Sequence, residues 1–151
     1  VKGDPRFWIG VVSRDHVRTA VAGGFIQLGH GKRAPVDELS PGDWLALYSP
    51  RTSLAEREAL GAFTAIGRVA GGPAYDVEQA PGFRPVRRDV AYLAAQEAAI
   101  RPLVPSLDVL AARPNWGVVF RRSVFEVTHT DFERIASTMR VAIDTTPFAR
   151  A

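Results

Sequence analysis

Short apolar runs rich in aromatic and β-branched residues, each stopped by a nearby glycine or proline, recur along the whole chain. Runs of this length and makeup read as buried strands. Phe7-Trp8-Ile9-Gly10-Val11-Val12 is the first, Phe25-Ile26-Gln27-Leu28 the second, and Trp44-Leu45-Ala46-Leu47-Tyr48-Ser49 the third, closed by Pro50. Phe63 to Val69 makes a fourth, and a fifth falls between Arg84 and Leu93. Late segments follow at Trp116-Gly117-Val118-Val119-Phe120 and Val124-Phe125-Glu126-Val127.

Helices are fewer and single. After Ser13 or Asp15, Val17, Ala20 and Val21 share a helical face, and Gly23-Gly24 ends it. Pro35 to Leu39 gives one helical turn, stopped by Ser40-Pro41-Gly42-Asp43. Ser53 with Glu56 predicts a short helix ending near Gly61, and Thr130 with Glu133 predicts a helix burying Phe132, Ile135, Ala136 and Met139. Alanines favour a helix over 94–100, which Arg101-Pro102 cuts short. The order is too irregular for a doubly wound parallel sheet and fits an α+β domain, a small curved sheet or open barrel with packed helices.

A chain of 151 residues, 46% hydrophobic and 23% charged, has the size and makeup of one globular domain. It has no cysteine, which excludes disulfides, thiolate metal sites and a cysteine nucleophile. No apolar run is long enough to cross a bilayer, no signal-peptide pattern surrounds Lys2 and Asp4, and the expected location is the cytoplasm. The net charge is only +3, yet seven arginines between Arg84 and Arg122 face just Asp89, Glu97 and Asp108. Guanidinium forks suit phosphate oxygens, so nucleic acid is the expected partner, with no membrane.

Catalytic signatures are sparse. His16, His30 and His129 lie far apart and outside any metal-binding spacing, so neither a metal nor a cofactor is expected. No nucleophile elbow, Walker loop or dinucleotide fingerprint occurs, and Gly29-His30-Gly31-Lys32 lacks the Walker spacing. Polar and aromatic residues do gather where strands end: Ser13 after the first; Gln27, His30, Gly31 and Lys32 after the second; Tyr48 and Ser49 at the end of the third. A curled sheet would bring these ends to one concave site suited to a flat heteroaromatic ring. Tyr75, in a turn-rich stretch, is a candidate for its aromatic wall. Trp116 suits either cage or core, and Trp8 and Trp44 read as core.

These blocks, in this order, resemble the EVE domain family of the PUA-like superfamily, related to YTH and ASCH domains. The resemblance rests on Trp8 to Ser13, Gly23 to Lys32, Pro41 to Trp44, Tyr48 to Pro50, Phe63 to Gly67, Arg87 to Val90, Asn115 to Gly117 and Phe125 to Val127. It covers about residues 6–140 of a single domain spanning 1–151, with 144–151 as a loose tail. It implies a pseudobarrel of about five or six mostly antiparallel strands with short helices around it. It also implies extended or irregular chain over 94–100. Its functional implication is a non-catalytic reader of modified nucleobases, such as modified cytosine in DNA or a modified RNA base. The pocket would comprise Ser13, Gln27, His30, Gly31, Lys32, Tyr48, Ser49, Tyr75 and Trp116, with Arg87, Arg88 and Arg121 on phosphates. The resemblance does not identify the effector protein that would act on the signal. The alternative is a small PUA-like enzyme acting on a nucleoside or related metabolite, with Lys32 or His30 as acid or base.

Overall fold

A computed structural model describes residues 4–53, 55 and 58–144. In chain order, β1 (Phe7–Val11) leads into α1 (Arg14–Gly23), β2 (Phe25–Ile26), a 3-10 turn at Gly29–Gly31 and α2 (Arg33–Asp37). Next come β3 (Trp44–Arg51), β4 (Ala59–Val69), β5 (Tyr75–Asp76), β6 (Val86–Tyr92) and β7 (Ala98–Ala99). A 3-10 segment (Arg101–Ser106), α3 (Asp108–Ala111), a second one (Trp116–Arg121), β8 (Val124–Val127) and α4 (His129–Thr138) complete the described chain. The strand order is β2-β6-β4-β3-β1-β8, with β5 beside β6 and β7 beside β4. Among the described residues, only β1 and β3 pair in parallel, and every other strand pair is antiparallel. This curled sheet with short helices is the α+β, PUA-like pseudobarrel that the sequence blocks imply.

The central strands are continuous apolar runs because both faces of the sheet are covered. Along β3, Trp44, Ala46 and Tyr48 join one core, together with Phe7 and Ile9 of β1 and Phe132 and Ile135 of α4. Leu45 and Leu47 enter a second core on the other face, with Trp8 of β1, with Val17 and Ala20 of α1, and with Leu28. Trp8 and Trp44 therefore belong to opposite layers, and both are structural.

Asp43 ties these layers to the start of the sheet. It is 4% exposed, and its Oδ1 accepts the Arg6 N–H at 3.0 Å. Its Oδ2 accepts Trp8 Nε1–H at 2.9 Å and the Ser40 N–H at 3.0 Å. Its carbonyl accepts the Val69 N–H of β4 at 2.8 Å. One turn residue thus satisfies donors from β1, from the preceding loop and from the neighbouring strand.

Several elements differ from their sequence reading. Trp116–Arg121 is a 3-10 helix and not a strand. Trp116, Val119 and Phe120 turn toward the core at helical spacing, and Asn115 and Val119 carbonyls close successive turns on the Val118 and Arg122 N–H groups. The cap of α4 is Thr128, whose hydroxyl accepts the Asp131 N–H at 3.1 Å, and not Thr130. The Asp131 carboxylate, 1% exposed, instead accepts the Asp108 and Val109 N–H groups at the start of α3. The helix predicted from Ser53 and Glu56 involves Glu56, outside the described residues, and its predicted stop, Gly61, lies within β4. Over 94–100 no helix forms: the chain is irregular apart from Ala98–Ala99, which pairs with β4, in keeping with the extended or irregular chain that the family pattern implies against alanine's helical preference. The predicted tail beyond Asp144 lies outside the described residues.

Trp44 is 3% exposed, and its Nε1–H donates to the Asp144 carbonyl at 2.9 Å. Trp44→Ala is expected to lower the unfolding free energy by about 3–5 kcal/mol in denaturant melts. Asp43→Ala strands three donors at once and should cost about 3 kcal/mol or more. Either variant melting like the wild type would contradict this account of the core.

Candidate functional site

The parallel pairing of β1 with β3 decides where strand ends meet. Parallel strands finish at the same edge of a sheet, and β8, antiparallel to β1, begins at that edge. The Val11 N–H bonds to the Ser123 carbonyl and the Val12 N–H to the Tyr48 carbonyl, closing the three chains together there. Because α1 leaves directly from the end of β1, its first turn stands over the same edge.

A pocket of about 270 Å³ opens at this place. Val11, Val12, Ser13 and His16 come from the β1–α1 junction, and Gln27, Gly29 and His30 from the segment after β2. Pro50 and Arg51 end β3, and Phe120 to Ser123 supply the opposite wall. Phe120 is the phenyl ring of the lining, and it stacks on Tyr48 at 3.9 Å between centroids. Arg51, Arg121 and Arg122 are the charged lining, and no carboxylate accompanies them among the described lining residues.

The polar groups inside are neutral. Ser13 caps α1 by position, but its hydroxyl makes no capping bond and is left for the pocket. Gln27 is 5% exposed, and its Oε1 accepts the Arg87 Nε–H, leaving the amide nitrogen as donor. Arg87 is itself held with its guanidinium 3.9 Å above the Phe25 ring. His16 Nε2 is buried without a hydrogen-bond partner among the described residues. A buried polar atom left so costs about 1–3 kcal/mol. Burial holds the His16 imidazole below its ordinary titration range, opposed by a bond to the Gln27 backbone and assisted by the nearby Arg87 and His30. His30 lies exposed in the left-handed region, φ 60°, a conformation rare for side chains larger than glycine.

Of the sequence candidates, Ser13, Gln27, His30 and Arg121 meet in this pocket. Lys32 is exposed and outside the lining. Gly31 is buried for close packing: at φ 85° a Cβ there would lie 2.5 Å from Pro85 Cβ. Because β3 runs on to Arg51, Tyr48 and Ser49 fall inside the strand. Tyr48 enters the core, and Ser49, fully buried, shares a 2.8 Å hydrogen bond with Thr64 Oγ1. Tyr75 sits on β5, where its hydroxyl donates to Asp89 at 2.6 Å. Trp116 is not a lining residue; it packs edge-on against Phe120, with Arg101 above its ring. Arg87 backs the pocket through Gln27, and Arg88 donates to the Gly72 carbonyl at 3.2 Å. Residue-by-residue reading missed His16, Arg51, Phe120 and Arg122. A strand followed at once by a helix cap was the available signal for His16, since the first turn must stand at the strand's end. Adjacent Arg121-Arg122 just before β8 was the signal for the rim.

A second, broader hollow of about 610 Å³ lies at the opposite ends of β1 and β8. In its lining Arg6 pairs with Glu126 at 2.6 Å, Asp131 is engaged by backbone donors, and Asp108 lies 3.8 Å from Arg134. No group of three or more possible metal-ligating side chains occurs among the described residues. No helix among them is long and apolar enough to cross a membrane.

The depressed His16 titration has a stability consequence. The unfolded imidazole titrates near its ordinary value of about 6.5, so below that pH the unfolded chain holds more protons than the folded one. Stability should therefore fall as pH drops below about 6.5 and level off once the folded imidazole also protonates. Thermal melts across this range should show a smaller drop for His16→Phe than for the wild type.

Comparison with known proteins agrees with this architecture. The EVE domain profile matches residues 6–138. A UPF0310 protein of Mesorhizobium japonicum is 47% identical over 88% of this chain and 91% of its own length. Another, of Mycolicibacterium vanbaalenii, is 46% identical over 87% of this chain and 91% of its own. Among solved structures, the YTH domain of the Zygosaccharomyces rouxii MRB1 protein, in complex with N6-methyladenosine RNA, superposes with a TM-score of 0.61. That match covers 94% of this chain and 90% of the YTH chain at 16% identity, a likeness of fold. By its sequence blocks, its sheet and this profile, the chain belongs to the EVE domain family.

Proposed function

We propose that this protein is a nucleic-acid-binding module that draws a single modified base into the pocket at the end of β1 and holds it without chemical turnover. The observation that carries the reading is the contrast between rim and interior. Arg51, Arg121 and Arg122 offer a cationic rim, while Ser13, His16, Gln27 and Phe120 offer neutral hydrogen-bonding groups and an aromatic face. Polyanionic backbone outside and a planar heterocycle inside match that division. Pockets for drug-sized ligands occupy about 300–1,000 Å³, so a volume of about 270 Å³ suits something near the size of one base. The fold shared with a YTH domain solved on N6-methyladenosine RNA supports the same use.

The division of labour is physical. Contacts to phosphate supply most of the affinity and its salt dependence, but no base selectivity. Stacking on an aromatic side chain contributes roughly 1–3 kcal/mol per base and tolerates any base. Selection must come from the neutral polar groups. Bringing a base out of a duplex costs a few kcal/mol, which favours single strands or already weakened pairs.

Two measurements test this. Titration of free nucleosides carrying modified cytosine or N6-methyladenine isolates the pocket from the phosphates, and His30→Ala should weaken the preferred one by about tenfold without shifting the melting temperature. Recovery of that nucleoside unchanged after long incubation is expected; conversion would establish the enzymatic alternative. For oligonucleotides containing the preferred base, affinity should fall with salt, and Arg121→Ala and Arg122→Ala should each lower the salt slope by about one. Affinity indifferent to salt would refute the phosphate role of the rim.

A further inference from the structure

His16 Nε2 is a buried pocket atom for which the described residues supply no partner. Four buried side-chain polar atoms lack a hydrogen bond among the described residues: Arg14 Nε, His16 Nε2, Thr52 Oγ1 and Arg88 Nε. Arg14 and Arg88 bond through other guanidinium nitrogens, and Thr52 is not in the pocket lining. His16 alone among them lines the pocket.

Its protonation pattern follows from its neighbours. The ring bonds to the Gln27 backbone in a way that favours a proton on the ring, as donation to a carbonyl does. Because Nε2 has no partner among the described residues, the proton is assigned to Nδ1. In the neutral ring one nitrogen donates and the other accepts, so a proton on Nδ1 leaves a lone pair on Nε2. Burial, together with Arg87 and His30, keeps the ring neutral at physiological pH. Beside it, Gln27 has its carbonyl oxygen committed to Arg87, which leaves the amide nitrogen to donate. The pocket therefore presents an acceptor and a donor on two side chains joined by the same backbone contact.

We propose that His16 is the specificity-determining residue of the pocket, its Nε2 accepting a hydrogen bond from an N–H on the bound base. The complementary ligand edge is an N–H donor next to an acceptor, the latter facing the Gln27 amide. Two kinds of base carry this edge. Cytosine and adenine types present an exocyclic amine beside a ring nitrogen, whereas uracil and guanine types present a ring N–H beside a carbonyl. This inference rests on the reading of the pocket as a base site and adds which feature of the base is read.

The test has a ligand-free and a ligand-bound part. On the free full chain at neutral pH, nitrogen chemical shifts of the histidine rings, with the His16 signals assigned by their loss in His16→Phe, should show Nδ1 protonated and Nε2 unprotonated. A proton on Nε2 overturns the proposal whatever the pocket binds. For binding, nucleosides are compared in pairs that differ by one methyl group on the donor nitrogen: N4-methylcytidine with N4,N4-dimethylcytidine, N6-methyladenosine with N6,N6-dimethyladenosine, uridine with 3-methyluridine, and guanosine with 1-methylguanosine. Whichever pair binds identifies the base type, and wild type should prefer the N–H-bearing member by about tenfold or more. His16→Phe keeps a planar ring in place but has no acceptor, so its preference should shrink to less than about twofold. If the methyl group were excluded by shape alone, His16→Phe would discriminate as well as wild type, and this inference would fall while the base site stood. Binding of no pair to the wild type would overturn the base site and this inference together.

Discussion

The parallel pairing of β1 with β3 is the constraint from which both the layering and the pocket follow. A parallel pair needs a long crossover, and here residues 12–43 supply it as α1, β2 and α2. The crossover must depart from the far end of β1, so the first turn of α1 stands beside the end of β3. It must also return to the near end, where Asp43 receives it. The Asp43 carboxylate there binds Arg6 N–H, Trp8 Nε1–H and Ser40 N–H, locking the returning chain to the start of β1. One edge of the sheet is thereby closed by hydrogen bonds, and the opposite edge gathers strand ends around a hollow.

That hollow separates two kinds of interaction by solvent access. Guanidinium groups of Arg121 and Arg122 lie exposed, where ionic contacts are adjustable and screened by salt. His16 and Gln27 lie deeper, where an unpaired polar atom is costly and geometry matters more than charge. Arg87 shows how one residue type can serve the second purpose. It is stacked on Phe25 and bonded to Gln27, so its charge orients an amide within the lining and does not stand at the mouth. The dense run of arginines between Arg84 and Arg122 is thus sorted by the fold. Arg84 pairs with Asp76 and Glu78, Arg88 holds a loop carbonyl, and only Arg121 and Arg122 of this run reach the pocket.

Much of the architecture was legible because it rests on local chemistry. Aromatic and β-branched runs bounded by glycine or proline located the principal strands, and Gly24 in a left-handed conformation ends α1 as the Gly23-Gly24 pair foretold. The absence of alternation in Trp44 to Tyr48 carried the information that both faces of β3 are buried. Segments that turn on tertiary packing were misread. Trp116 to Phe120 has the makeup of a strand, yet closes into 3-10 turns because Trp116, Val119 and Phe120 must meet the core from one side.

For the site, the sequence by itself determined the chemical inventory: no cysteine, a polar residue after each early strand, and arginines concentrated in the second half. It also determined that Ser13, Gln27 and His30 stand at element ends, which follows from where glycine and helix caps interrupt the runs. Only the tertiary structure decided which ends converge, because strand direction depends on pairing between residues far apart in the chain. The parallel β1–β3 pair brought Ser13 and His16 to Arg51, Phe120 and Arg121. The extension of β3 to Arg51 turned Tyr48 and Ser49 into the interior, since a residue inside a doubly covered strand has no face left toward solvent.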